Sequence, residues 1–149
     1  MSDPDKGGTS LDGYLPCRLA SVVVRLPEAF ARVVLASEPV GAGTFEIPIA
    51  IEQARQLALA VSGEKAPRPL TGNLLTEVLA AYGIEVPYVA ITGIADGNVL
   101  AELAVAGADG EVRTFQARPS DALIIALLQP VAAPILVSRE LFGQPGSPE

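Results

Sequence analysis

The chain has 149 residues, is 50 % hydrophobic, carries a formal net charge of −7 and contains no histidine and one cysteine. That charge has the wrong sign for holding nucleic acid on a broadly basic surface. The missing histidine removes every His base, His metal ligand and Ser-His-Asp triad. Zinc and haem are therefore not expected, and any metal would be held by oxygens, as Mg²⁺ and Mn²⁺ are.

Residues 1–14 read as a disordered N-terminal tail, with no charged-then-apolar signal region. Residues 17–25, CRLASVVVR, are β-branched and strand-like, and Cys17 within them is expected to be a buried packing residue that forms no intramolecular disulfide. AFARVVLAS follows, and then TFEIPIAI alternates, with Phe45, Ile47, Ile49 and Ile51 on one face. Pro48 falls on the other face and marks an edge strand or a bulge. These three segments predict an antiparallel meander.

From Glu52 the period changes to a helical stripe of Ala54, Leu57, Ala58 and Val61, closed by Gly63. A loop, GEKAPRP, leads to a second helix carrying Leu74, Leu75, Val78, Leu79 and Tyr82 and ending at Gly83; Asn73 and Glu77 share its polar side. VPYVAITGI, NVLAELAVA and EVRTFQA predict a second meander with Asp-Gly turns, and Tyr88 and Phe115 in it are expected in the core. SDALIIALLQ is apolar on nearly all sides, which predicts a helix buried between layers or at a subunit contact, stopped by Pro130. PILVS is a short buried strand, and residues 143–149 a flexible tail. No apolar run approaches the roughly 20 residues needed to span a bilayer, so a cytoplasmic protein with no membrane association is expected. The fold class predicted is α+β: a single domain over 15–142 with a mixed, largely antiparallel sheet or sheets of six to seven strands and three main helices.

Two helix starts share a design. RPLT (68–71) and RPSD (118–121) each place an arginine, a proline and a hydroxyl before a helix. Proline biases the residue before it toward extended backbone. Thr71 and Ser120 can then cap the free N–H groups of the first turn. A helix start suits an anion, and an arginine adds a bidentate fork that matches phosphate or carboxylate. The functional reading is an anion or phosphate site of Arg68, Thr71, Arg118 and Ser120. The plainer readings are that each arginine pairs with a local acid, for which Asp121 is the obvious partner of Arg118, or merely staples its helix start. Asp96, Asp109 and Glu111 at turns read as solvated charges. With no Trp, three Tyr and four Phe, the chain offers no evident base-stacking platform.

RPLTGNLLTEVLAAYG and ARPSDALIIAL...APILVS, preceded by EIPIAI...ARQLALAVSGEKAPRP, resemble the bifunctional nuclease domain family, in a divergent bacterial form. That family carries R-P-L-T-H-D before one helix, D-A-R-P-S-D-A before a later one, and a short G-A-P-I-x-V strand. The resemblance covers roughly residues 17–142. It implies a compact mixed domain that is often oligomeric, a trimer ahead of a dimer, with divalent-metal-dependent nuclease activity on DNA and RNA. Its partners would then be further copies of itself and nucleic acid or another phosphate-containing ligand.

Position by position, Arg68, Pro69, Leu70, Thr71, Arg118, Pro119, Ser120 and Asp121 match the family motifs. The family's His falls on Gly72, its Asp on Asn73, the acid before A-R-P-S-D on Gln116, and the glutamate of E-A-x-A-I-A on Gln53. All four departures replace an ionisable group by a neutral one. An amide keeps hydrogen bonds but cannot act as a base and is a weak Mg²⁺ ligand. Asp121 and Glu77 are the acids left near the motifs, too few for a two-metal site; they are the catalytic and Mg²⁺- or Mn²⁺-holding candidates if activity survives. The resemblance thus implies either a weakened nuclease or a non-catalytic oligomeric paralogue that binds an anion, a nucleotide or a protein.

Overall fold

The computed structural model describes residues 11–24, 27, 29–38, 43–64, 67–68 and 70–143. The tail predictions over 1–10 and 144–149 lie outside these residues. The first meander is β1 (Tyr14–Val24), β2 (Phe30–Ser37) and β3 (Thr44–Ala50), followed by α1 (Ile51–Ser62) and α2 (Thr71–Ala81). The second is β4 (Glu85–Ala95), β5 (Asn98–Ala106) and β6 (Val112–Ala117), followed by α3 (Pro119–Leu128), β7 (Ile135–Ser138) and a 3-10 turn at Arg139–Gly143. The described residues form an α+β single domain with one seven-stranded sheet and three helices.

The strand order is β3-β2-β1-β7-β4-β5-β6. Each meander is antiparallel, and β7 is inserted between them, antiparallel to β1 and parallel to β4. Pro48 lies in β3, an edge strand of the order, where its missing N–H interrupts no inner ladder. Asp96-Gly97 turns between the paired residues Ala95 and Asn98 with φ of 52° and 79°, the two positive φ angles that a type I′ hairpin demands.

One sheet face and two helices make the main core. Phe45, Ile47 and Ile49 of β3 are buried as the alternation predicts, with Val33 and Leu35 of β2 and Val89 and Ile91 of β4. Ile51 departs from the expectation: it is the first residue of α1, so the strand alternation stops one step earlier. α1 packs on the β1–β3 side, α3 on β4 and β5, and the two helices touch. Ala122 through Ala126 of α3 are all buried, which is why that helix needs no polar face. Cys17 is buried, and burial pushes its thiol up to about 11, so it stays a neutral packing group. Tyr88, Ala90 and Ala104 form a second small cluster outside that core.

Two expectations fail on packing. Phe115 is exposed rather than core, because it lies in β6, an edge strand with no neighbour beyond it among the described residues. No residue of α2 is fully buried: Leu74, Leu75 and Val78 are exposed, as is Tyr82 just after the helix, and only Leu79 packs against the core. The periodicity of α2 is real, but its apolar stripe is wider than the face it buries. Among the described residues no helix is long and apolar enough to cross a membrane.

Candidate functional site

The site begins where β6 ends. Pro119 is the first residue of α3, and Arg118 before it has the extended backbone (φ −67°, ψ 145°) that a following proline imposes. From there the Arg118 Nε–H donates to Asp121 Oδ2 at 2.7 Å and Nη2–H donates to Oδ1 at 3.1 Å. This bidentate pair joins the residue before the helix to its first turn, where a carboxylate also complements the helix dipole. The side chains are 66 % and 42 % exposed, so the pair fixes geometry more than it adds stability. The hydrogen bond to Asp121, and then its charge, raise the Arg118 pKa above its ordinary value.

Gln53, from the first turn of α1, closes the other side. A guanidinium only donates, so the amide oxygen must face it. In that orientation Gln53 Oε1 accepts from Arg118 Nη1 at 2.6 Å and Nη2 at 3.1 Å, while Nε2 donates to Ser120 Oγ at 3.2 Å. The opposite orientation would offer Oε1 only a 3.3 Å bond from the Ala50 N–H and would set amide hydrogens against the arginine. Ser120 is 2 % exposed. Gln53 thus ties α1 to the start of α3 through two side chains.

This cluster borders a cleft of about 700 Å³. Arg118, Ser120, Gln53 and Gln116 all line it. Phe30, Pro48 and Ile49 contribute from β2 and β3, and Asn98, Val99 and Leu100 from β5. Strands near opposite ends of the sheet order thus meet at one hollow, which requires a strongly curled sheet. A register break between Ile91 and Gly93 puts a bulge at Thr92, another lining residue. Bulges of this kind re-aim side chains beside sites.

The other sequence candidates lie elsewhere. Arg68 is exposed and outside the cleft lining, so the two arginines do not share it. Thr71 is exposed and is the first helical residue of α2: the N-cap position is Leu70, and no side chain caps the helix. Ser120 likewise makes no cap bond, since it is the second residue of α3 and bonds Gln53 instead. The capping roles expected of both hydroxyls are therefore corrected; the helices begin one and two residues before those hydroxyls could cap them. Gly72 and Asn73 border a separate hollow of about 20 Å³, with Gln56 of α1 and Ile124 and Leu128 of α3. A Cβ at Gly72 would stand 2.9 Å from Ile124 Cγ2 and 3.4 Å from Leu128 Cδ1. The glycine lets α2 approach α3 closely, a packing function that motif comparison alone does not reveal.

Glu77 is exposed on α2 and does not line the cleft. Both oxygens of Asp121 are engaged by Arg118. Among the described residues no three acidic or thiol side chains group closely enough to hold a cation. The described residues therefore do not fit the Mg²⁺ or Mn²⁺ site that the family resemblance implies. One acid was missed: Glu102 of β5 pairs with Gln116 across the ladder and lines the cleft. Burial first, and then the charge of Glu102, raise the phenols of Tyr14 and Tyr88. A lone carboxylate inside the apolar run NVLAELAVA is the sequence signal that could have singled it out.

The fold and the two arginine-proline helix starts define a nuclease-family domain. The family's sequence profile for the bifunctional nuclease domain matches residues 33–149, well over half of the chain, and the chain belongs to that family. Two proteins of Mycobacterium tuberculosis, from strains CDC 1551 and H37Rv and both named as uncharacterized, are each 34 % identical to it over 114 residues. The match covers 76 % of this chain and 66 % of each relative, a little under two thirds of their length.

Proposed function

We propose that this chain is a bifunctional-nuclease-family domain in which phosphodiester hydrolysis is weakened or lost, and which acts by binding an anionic, phosphate-type ligand in the cleft at the start of α3. The observation that carries this reading is the engagement of Asp121: both its oxygens accept from Arg118. A carboxylate so placed is a poor base and a poor metal ligand until it leaves the arginine. The amide of Gln53 holds hydrogen bonds to Arg118 and Ser120, and neither it nor the Gln116 amide that lines the cleft supplies a base.

The test is a nuclease assay on DNA and RNA with Mg²⁺ or Mn²⁺, comparing the parent with Asp121→Asn, beside a relative that keeps the family's His and Asp. Activity in the relative and none in the parent is expected. Cleavage by the parent that disappears in Asp121→Asn would sink the reading and favour a working nuclease.

The same reading has the domain assembling with copies of itself, a trimer ahead of a dimer. Its support is α2 and the residue that ends it, where Leu74, Val78 and Tyr82 stand exposed at four-residue spacing. Light scattering after size exclusion measures the assembly directly; a monomer at every concentration defeats it.

A further inference from the structure

The cleft has a composition that goes beyond anion binding. Among the described residues it is lined by a single basic residue, Arg118, and one acid, Glu102. Asp121 and Gln53 engage the arginine's Nε–H, its Nη2–H groups and one Nη1–H, which leaves one N–H of its five to offer. A polynucleotide needs several such cations along its backbone, and the chain's net charge of −7 adds repulsion. One small anionic group is what Arg118 can satisfy.

The rest of the cleft is suited to a flat body. Phe30 and Pro48 come from β2 and β3, and Leu100 comes from β5 on the same strand face as Asn98 and Glu102, giving the hollow apolar surface from both groups of strands. Thr92, Asn98 and Gln116 add donors and acceptors among them. The volume of about 700 Å³ lies in the range of small-molecule sites.

Resting on the anion-binding reading above, we propose that the cleft takes a small molecule with one anionic group joined to a flat, hydrogen-bonding ring system, the chemistry of a nucleoside monophosphate, in preference to a nucleic-acid strand. Arg118 meets the anionic group, Leu100 covers one ring face, and Asn98 and Gln116 meet its polar edge. Asp121 competes with the ligand for the arginine.

Titration calorimetry of the full chain tests this with four probes: adenosine 5′-monophosphate, adenosine, inorganic phosphate and a single-stranded oligonucleotide. The monophosphate is expected to bind one per chain, with adenosine and phosphate each at least about tenfold weaker and the oligonucleotide no tighter. Leu100→Trp, at a residue 41 % exposed, should narrow the cleft and weaken the monophosphate about tenfold with an unchanged melting temperature. Asp121→Asn frees donors and removes a repelling charge, so it should tighten the monophosphate severalfold. Phosphate binding as tightly as the monophosphate overturns the ring claim and leaves the anion-binding reading standing. An oligonucleotide that binds tighter overturns the preference for a small ligand. No binding by any of the anions overturns both.

Discussion

The starts of α2 and α3 are written in nearly the same residues and do opposite things. At α3, arginine, proline and serine are drawn into one cluster: Arg118 grips Asp121, and Gln53 reaches from α1 to both Arg118 and Ser120. At α2, Arg68 and Thr71 face solvent, and Gly72 serves close contact with Ile124. Local sequence sets up a helix start; what comes across from another element decides whether it becomes a site. Gln53 is that element for α3.

The comparison can be broken in three ways. The largest effect is expected from Gly72→His, which restores the family residue. Its side chain has no room against Ile124, and overpacking of this kind costs about 1–3 kcal/mol. Thermal unfolding should show the loss as a melting point lower by several degrees, with no gain in nuclease activity; an unaffected melting point would mean that α2 does not pack on α3 as described. Next come the two hydroxyls. Ser120→Ala leaves the Gln53 amide without its acceptor and should cost about 1–2 kcal/mol, whereas Thr71→Ala should stay within about 0.5 kcal/mol. Urea unfolding of the pair measures both, and equal losses would erase the distinction between the two starts. The smallest stability change is expected at the arginines. Arg118→Ala should cost at most about 1 kcal/mol, as exposed ion pairs do, yet abolish ligand binding in the cleft, while Arg68→Ala leaves that binding intact. Calorimetry on the two variants separates them.

What could be read from the chain alone follows the range of the interaction. Pro48 at an edge, the Asp96-Gly97 turn and the all-apolar α3 are short-range matters of backbone and period, and the structure bears them out. Phe115 was misread because burial depends on which strand lies alongside β6, and period-2 alternation carries no such information. Ser120 was misread because its partner is Gln53, far away in sequence. The motif comparison located Gln53, Gln116 and Arg118, which do line one cleft, but it treated Gly72 only as a loss. Glu102 was passed over because nothing in its neighbourhood marks it except its charge.

The shortest strand has a consequence for how the chain folds. β7 pairs Ile135 with Cys17 on one side and with Val89 on the other. The two meanders are each built from contacts close in sequence and can form early. Neither has an inner neighbour until β7 arrives, and the sheet's centre is therefore assembled from its most distant parts. Until then the inner edges of β1 and β4 are both unpaired, open to pairing with another chain. Four residues near the far end of the described chain thus decide whether the nascent protein becomes one sheet or two sticky halves.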